Sequence, residues 1–473
     1  MVFSSLFFLY TFLPLCLIVY QIPDHLEGKN RVLLAFSLLF YAWGEPVWII
    51  QMLLSGAVIF FFAHQVEANR HKVKEAKRMM LLGVFFALIP LFVFKYSGFF
   101  VENINALLGA SLSVPKLKMP IGISFYTFQI ISYIVDLYRG ECKLQRSLSR
   151  FWLYEALFPQ LIAGPIVRYS DVEAELNERT RTEQDLAEGA IRFVSGLAKK
   201  TLLANYAGSL VEQTLASTRL AQLSGLEAWI GILAYTFQIY FDFSAYSDMA
   251  IGLGRLFGFH FKENFDYPYY SKSITEFWRR WHISLGSFFR DYVYIPLGGK
   301  YKHQLRNLVI VWFLTGFWHG ASWNFILWGL YYLLFLILEK YLLKPVIEKV
   351  PRALCIPFVF FVVNIGWSLF YFTDLSKWLV FLRRMFMLDG NAFLNMEGKL
   401  LWGQNVYFFV LAFIASMPII PGVKDLIPRL GKRGFHSSKY WFVSRMLVML
   451  LLLVMSTAAL AGESFNPFLY FRF

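Results

Sequence analysis

Apolar segments of about twenty residues recur along the chain, and short polar or charged loops separate them. Examples are residues 1–20, 79–94, 355–372 and 441–460. A helix of that length crosses the hydrocarbon core of a bilayer and satisfies its own backbone hydrogen bonds there. The pattern therefore predicts an all-α integral membrane protein with about ten to twelve transmembrane helices of roughly 20 residues each.

The amino-acid composition excludes an ordinary soluble protein, because 58% of the residues are hydrophobic and only 16% are charged. The aromatic share of 19% exceeds what belts at the membrane interfaces need, so many aromatic side chains should line the interior. The net charge of +14 lies in short loops, as the positive-inside rule requires. We therefore expect membrane lipids around the chain and no nucleic acid. Three widely separated cysteines show no metal-ligand spacing, so no metal site is expected.

Basic loops set the predicted orientation. No Lys or Arg precedes Lys29, whereas residues 67–78 hold a cluster that ends in Lys77 and Arg78. Placing that cluster in the cytoplasm puts the N-terminus on the extracytoplasmic side. The first apolar segment lacks a basic flank before it and a cleavage site after it, so we expect it to stay as a membrane helix.

Three segments depart from a simple spanning helix. Residues 151–167 are apolar but broken by Pro159 and by Gly164-Pro165, which predicts a re-entrant segment or the wall of a chamber. Residues 271–300 mix Trp and Phe with Arg and predict an amphipathic helix at the cytoplasmic interface. Residues 226–241 predict a span, and the next segment, 241–259, keeps polar groups that should face the bundle interior or water. We find no internal repeat, which weakens a transporter built on inverted halves.

One histidine, His319, lies inside the apolar, aromatic-rich run of residues 311–329. The run leads outward to this histidine and returns from Trp323, so His319 should lie near the outer end of its span. An ionisable side chain is costly to desolvate there, so it indicates either a proton-transferring catalyst or a histidine hydrogen-bonded inside the bundle. His282, in the run WRRWHIS, has the same two readings, with backbone or lipid headgroup as its partner. No nucleophile elbow, phosphate-binding loop or Rossmann glycine pattern competes with them.

Several blocks of sequence resemble the membrane-bound O-acyltransferase (MBOAT) family, and within it the alginate O-acetyltransferase (AlgI-like) branch. They are PIGISFY (120–126), LIAGP (161–165), YFDFSAYSDMAIGLG (240–254), SITEFWRRWHISL (273–285), RDYVYIPLGG (290–299), GFWHGASWNFILWG (316–329) and NPFLYF (466–471). The blocks cover most of the chain in the family's order. A block as long as SITEFWRRWHISL is highly specific, whereas PIGISFY alone would only be suggestive.

The resemblance implies one polytopic domain over residues 1–473, with a family core at about 120–345. It implies a ring of transmembrane helices with re-entrant and amphipathic helices, and two opposed funnels that meet at a reactive histidine. His319 matches the family's catalytic histidine and His282 its supporting one. The implied protein is a multi-pass enzyme of the bacterial inner membrane. It would bind no cofactor and would use acetyl-CoA as the acyl donor.

The resemblance also implies a polysaccharide acceptor outside the cell and an SGNH-hydrolase-like partner that completes the transfer. Acceptor alternatives within the family are lipids or proteins, and the span count alone would also allow a carrier or channel. Whether His319 acts as a base or forms an acyl-histidine stays open.

Two further groups of residues are candidates for the site. The first would shape the chamber or orient the imidazole, although packing explains each residue equally well: Tyr240, Asp242, Ser244, Trp318, Trp323 and Asn324. The second would draw CoA phosphates to the cytoplasmic mouth, although the positive-inside rule explains it almost as well: Lys272, Arg279, Arg280 and Arg290.

Overall fold

The computed structural model describes residues 1–216, 218–419, 439–462 and 469, without the side chains of 439–442. Every regular element in this described part is a helix, which confirms the predicted all-α class. Of the C-terminal block NPFLYF, only Leu469 lies within the described residues. Two of the basic positions that separate the last predicted spans, Lys424 and Arg433, lie outside them.

The helices in the first half of the chain are α1 (Leu13–Gln21), α2 (Leu26–Ala42), α3 (Trp48–Ala68), α4 (Val73–Leu91), α5 (Ser97–Leu108), α6 (Ile123–Arg139), α7 (Leu148–Ala156), α8 (Phe158–Leu161), α9 (Tyr169–Asn177), α10 (Glu183–Ala198) and α11 (Asn205–Thr214). Those in the second half are α12 (Gly225–Leu256), α13 (Ile274–Arg280), α14 (Ile283–Phe289), α15 (Gln304–His319), α16 (Trp323–Leu338), α17 (Lys344–Lys349), α18 (Arg352–Tyr371), α19 (Leu375–Met385), α20 (Met396–Ser416) and α21 (Lys439–Gly462). Several are extended by single π-helical turns, for example at Phe92–Tyr96 and Glu339–Leu343.

Six helical stretches within the described residues are long and apolar enough to cross a membrane. They are Trp48–Ala68, Val73–Leu108, Trp323–Lys349, Arg352–Tyr371, Met396–Ser416 and Val443–Gly462. These stretches identify the chain as a membrane protein. The total of about ten to twelve spans, the side on which the N-terminus lies, and the ring with opposed funnels stay predictions.

The chain forms two compact units. Unit 1 comprises Met1–Phe193, Tyr246–Glu263 and Ser287–Leu297, and unit 2 comprises Val194–Ala245, Asn264–Gly286 and Gly298–Phe473. All of the predicted site residues except Arg290 belong to unit 2.

In unit 1, the broken segment 151–167 is packed inside the protein. Helix α7 ends at Ala156 and α8 begins at Phe158, with Pro159 in its first turn, where a proline costs no hydrogen bond. Residues 157–167 are all buried. Burial in protein is one of the two settings in which non-helical backbone is tolerated at membrane depth, so the predicted break is confirmed.

Helix α12 is one continuous helix of 32 residues, where the sequence predicted a span at 226–241 followed by a separate polar segment. The prediction of two segments was wrong, because no proline or glycine stands between residues 232 and 251 to end the helix. The polar groups Asp242 and Ser244 are buried, as predicted. The helix contributes residues 225–245 to unit 2 and 246–256 to unit 1.

In unit 2, α15 and α16 form a tight antiparallel hairpin. A Cβ on Gly316 would lie 2.3 Å from the carbonyl oxygen of Phe325, and one on Gly329 would lie 2.3 Å from that of Trp312. Only glycine allows the two backbones to approach this closely. The hairpin confirms that the run of residues 311–329 turns at His319.

Candidate active site

His319 is the last residue of α15, and the extended residues Gly320 and Ser322 lead from it into α16. Three aromatic rings stand edge-on around its imidazole: Trp318 and Trp328, each with its centroid 5.0 Å away, and Phe370 at 5.2 Å. All three rings are buried, whereas His319 keeps part of its surface accessible. The arrangement is an aromatic wall around a histidine that is only partly buried.

His282 occupies the short link between α13 and α14. Its backbone has a φ of +46°, a left-handed conformation that is uncommon for a residue other than glycine. The side chain is 2% exposed and packs against Phe243, 4.6 Å away between ring centroids. The predicted amphipathic segment is therefore two short helices that meet at a histidine.

Trp318 stands between the two histidines. Its ring centroid lies 5.9 Å from that of His282 and 5.0 Å from that of His319. Unit 2 thus brings together two histidines that the sequence separates by 37 positions.

The electrostatic setting of His282 keeps its ring neutral. Burial lowers the pKa of His282 to about 3, because the protonated form would lose its hydration. The link that carries it lies outside the six apolar stretches. A neutral imidazole donates a hydrogen bond from one ring nitrogen and accepts one at the other.

Asp242, a predicted chamber residue, is held in a buried ion pair. Its Oδ1 lies 2.6 Å from Nζ of Lys200, and the two side chains are 2% and 4% exposed. Its Oδ2 accepts a hydrogen bond of 2.6 Å from the backbone N–H of Leu469. The sequence analysis missed Lys200 and Leu469; the one signal for Lys200 was a charge two positions before the apolar residues 202–204.

Tyr240 and Ser244 lie near Asp242 on α12. Tyr240 packs against Tyr269, 5.2 Å away, and against Trp281, 6.1 Å away, the residue before His282. Ser244 is buried. Tyr240 therefore packs against the link between α13 and α14 that carries His282.

Asn324 and Trp323 begin α16, immediately beyond His319. The side-chain amide of Asn324 donates to the carbonyl oxygens of Leu369 and Phe370, at 3.3 and 3.4 Å. These bonds attach α16 to the end of α18, where Phe370 contacts His319. Trp323 is 53% exposed, so it does not close the aromatic wall.

The predicted phosphate-binding cations differ in whether carboxylates of the protein already pair with them. Arg280 pairs with Asp266 and with Glu276, at 2.9 and 3.1 Å. Glu276 also accepts from the Lys272 backbone and binds Arg352 at 2.9 Å; the sequence analysis missed Arg352 as a partner of Glu276.

The side chain of Arg279 is exposed. Arg290 lies in unit 1 and pairs with Asp291 at 2.6 Å. The structure therefore leaves Arg279, rather than Arg280, as the exposed guanidinium of the segment before His282.

Unit 2 also holds a cavity of about 780 Å³ that the sequence did not reveal. Most of its lining comes from residues 215–216, 218–221 and 371–380, and the last of these segments directly follows Phe370 of the aromatic wall in the chain. The polar and aromatic side chains that line it include Thr218, Tyr235, Tyr371, Asp374 and Lys377. The cavity is large enough to hold a small polar ligand.

The model of the membrane-bound O-acyltransferase family matches residues 142–376. That range includes both histidines and overlaps the predicted core at about 120–345. The extent of one domain over residues 1–473 stays a prediction.

Full-length similarity extends the match. The chain is 37% identical to a probable alginate O-acetylase AlgI of Azotobacter vinelandii and 37% identical to one of Pseudomonas putida, with 100% of each chain covered. It is 33% identical to a peptidoglycan O-acetyltransferase of Helicobacter pylori, over 82% of this chain and 80% of that relative. The chain therefore belongs to the membrane-bound O-acyltransferase family, as an O-acyltransferase of its alginate O-acetylase AlgI-like branch.

Proposed function

We propose that this protein moves an acetyl group from cytoplasmic acetyl-CoA to hydroxyls of an extracytoplasmic polysaccharide, with His319 as the reacting base. The single observation that carries the proposal is a partly exposed histidine, His319, with three buried aromatic rings around its imidazole. The names of the relatives, alginate O-acetylase and peptidoglycan O-acetyltransferase, support both the acetyl group and the polysaccharide acceptor.

The enzyme has to supply mainly proton transfer and charge stabilisation, because a thioester is already an activated acyl donor. The acceptor oxygen attacks the thioester carbonyl carbon, and the carbon–sulfur bond breaks. The hydroxyl proton passes to His319 and then to the departing sulfur, which leaves as a neutral thiol. The neutral ring of His282, across Trp318, supports this exchange without adding a competing charge.

The remaining parts of the proposal follow the same chemistry. Arg279, with Lys272, would attract CoA phosphates at the cytoplasmic mouth. The cavity whose lining includes Tyr371 would admit the acceptor. An SGNH-hydrolase-like protein outside the bacterial inner membrane would complete delivery to the polymer, and the resemblance to the AlgI-like branch supports that partner.

The test compares His319→Ala with His64→Ala in a host that depends on this protein for polymer acetylation. His64 is a matched control, because its Nδ1 hydrogen-bonds the carbonyl oxygen of Phe60 within its own helix α3. Membranes would receive labelled acetyl-CoA, and mass spectrometry would identify the labelled product.

We expect labelled polysaccharide esters with His64→Ala and none with His319→Ala, at equal membrane levels of both variants. Normal labelling with His319→Ala would refute the reaction. Label that ends in lipid, or in protein with none in polysaccharide, would refute the proposed acceptor.

A further inference from the structure

Asn264 binds the strained turn that carries His282 from two sides. Its backbone oxygen accepts from the N–H of Ile283 at 2.9 Å, and its side-chain Oδ1 accepts from the N–H of Ser284 at 3.2 Å. The hydroxyl of Ser284 donates to the same Oδ1 at 2.8 Å. Asn264 is fully buried. The two residues that follow the left-handed His282 are therefore both tied to one asparagine.

These bonds fix which atom of the Asn264 amide faces the histidine. A backbone N–H can only donate, so the atom that it meets must be the amide oxygen and not the amide nitrogen. That oxygen lies 3.1 Å from Nδ1 of His282. The orientation of this amide is thus set by the backbone around it.

The same reasoning assigns the proton on His282. Because Oδ1 only accepts, Nδ1 of His282 must carry the hydrogen in this contact. The other neighbour of Nδ1 is Oγ of Ser284 at 3.4 Å, and its hydrogen is already donated to Asn264. In a neutral ring with its hydrogen on Nδ1, the other nitrogen, Nε2, keeps its lone pair.

We propose that Asn264 is a positioning residue that holds His282 in the tautomer with hydrogen on Nδ1 and the lone pair on Nε2. The proposal rests on the proposed function only for its catalytic consequence. In that reaction, Nε2 of His282 is the atom able to accept a hydrogen bond from the hydroxyl substrate.

An asparagine suits this role better than an aspartate would. Both side chains present an acceptor to Nδ1–H, but a carboxylate also stabilises the imidazolium and raises the pKa of the ring. The aromatic side chains packed on His282 include Phe243, Phe265 and Trp318, and Trp318 in turn contacts the titratable ring of His319. A neutral acceptor therefore keeps Nε2 unprotonated at cellular pH.

The first test reads the tautomer directly. Full-length protein labelled with ¹⁵N in histidine would be studied by solid-state NMR in bilayers, with the His282 signal identified by its loss in His282→Gln. We expect hydrogen on Nδ1 and none on Nε2 in the native protein. Asn264→Leu should redistribute the hydrogen between the two nitrogens. Asn364→Leu is the matched control, because Asn364 is another buried asparagine, bonded to Thr236 and Phe360.

The second test reads the consequence for the reaction with acetyl-CoA as the donor. We expect Asn264→Leu to lower kcat on the order of 100-fold, the lower range of general acid–base effects, with KM for acetyl-CoA unchanged. Asn264→Asp retains the acceptor but should raise the pKa of His282 by about one to three units. Its activity should therefore fall as the pH drops through the mildly acidic range, where the native enzyme keeps its activity.

A His282 that carries its hydrogen on Nε2 in the native protein would overturn the proposal. So would Asn264→Leu with native tautomer and native kcat. If Asn264→Leu does not fold, the pH dependence of Asn264→Asp is the deciding measurement. An Asn264→Asp variant whose activity at acidic pH matches that of the native enzyme would contradict the assignment. A failure of the proposed function has a different signature, because His319→Ala would stay active while the NMR result on His282 still stood.

Discussion

Variants of the buried ion pair between Lys200 and Asp242 can show whether Asp242 stabilises the fold or takes part in the reaction. Its two charged atoms lie 2.6 Å apart, and the side chains are 4% and 2% exposed. Replacing either residue alone by an apolar one, as in Lys200→Met or Asp242→Leu, leaves the other charge buried without its partner. Breaking a buried pair in this way costs about 3–5 kcal/mol.

A cost of that size is a large fraction of the stability of a typical domain, about 5–15 kcal/mol. It corresponds to a factor of about 10² to 10⁴ in the folding equilibrium, since 1.36 kcal/mol is tenfold. Asp242→Leu also removes the acceptor of the Leu469 N–H, which adds about 1 kcal/mol. The double variant Lys200→Met/Asp242→Leu removes both charges, so it should recover most of the loss.

The assay is the folded fraction of purified protein during titration with SDS in mixed micelles, at low and high salt. Arg219 and Glu397 provide the control, because they lie at the same 2.6 Å but their side chains are 53% and 57% exposed. Loss of that exposed pair should cost far less than loss of the buried pair, and salt should weaken it. A single Lys200 or Asp242 variant no less stable than the control would refute the reasoning.

The double variant also separates the two roles of Asp242. Folded and active protein would assign Asp242 to structure, whereas folded but inactive protein would support its predicted place in the chamber.

Two further predictions concern close packing and a surface histidine. Gly316→Ala should sharply reduce the amount of folded protein on size-exclusion chromatography, because its Cβ would lie 2.3 Å from a backbone oxygen of α16. Gly403→Ala is the control, because the space around Gly403 is open, and it should be neutral or slightly stabilising. An equal loss of folded protein in both variants would contradict the hairpin geometry. The ring of His260 binds Glu175 and Asp185 at 2.7 and 3.0 Å, and these carboxylates raise its pKa although burial opposes them. The ion pairs of protonated His260 should stabilise the folded protein fully below pH about 6.5. This stabilisation should be lost as the pH rises through the raised pKa of His260. Thermal melts should therefore show His260→Gln less stable than the native protein at pH 6 and equal to it at pH 9, and the same difference at both pH values would refute the pairing.

The membrane helices and the hairpin at His319 were predictable because they depend on local properties. Within a bilayer, a single run of apolar residues can satisfy all of its backbone hydrogen bonds internally only as a helix. The close approach at Gly316 and Gly329 was not predicted; the structure shows the backbone oxygens that they approach. The break at Pro159 was equally local. By contrast, the division of α12 into two segments failed, because buried polar groups do not end a helix when no backbone breaker accompanies them.

The site was predictable only in its histidines. Asn264 precedes His282 by 18 positions in a charged loop and belongs to no block that the sequence analysis singled out. Lys200 meets Asp242 across 42 positions, and the cavity after Phe370 is formed by two segments some 150 residues apart. Each of these depends on long-range packing, which a single sequence does not encode in its periodicity.

By itself, the amino-acid sequence determined that the chain is helical, that it lies in a membrane, and that His282 and His319 are its candidate reactive groups. Hydropathy and backbone hydrogen bonding act over a few residues, so these properties are written locally. Only the tertiary structure decided that Trp318 lies between the two rings, that Lys200 matches the charge of Asp242, and that Asn264 faces Nδ1 of His282. Those contacts depend on distances of a few ångströms between remote segments, and such distances are set when the core packs.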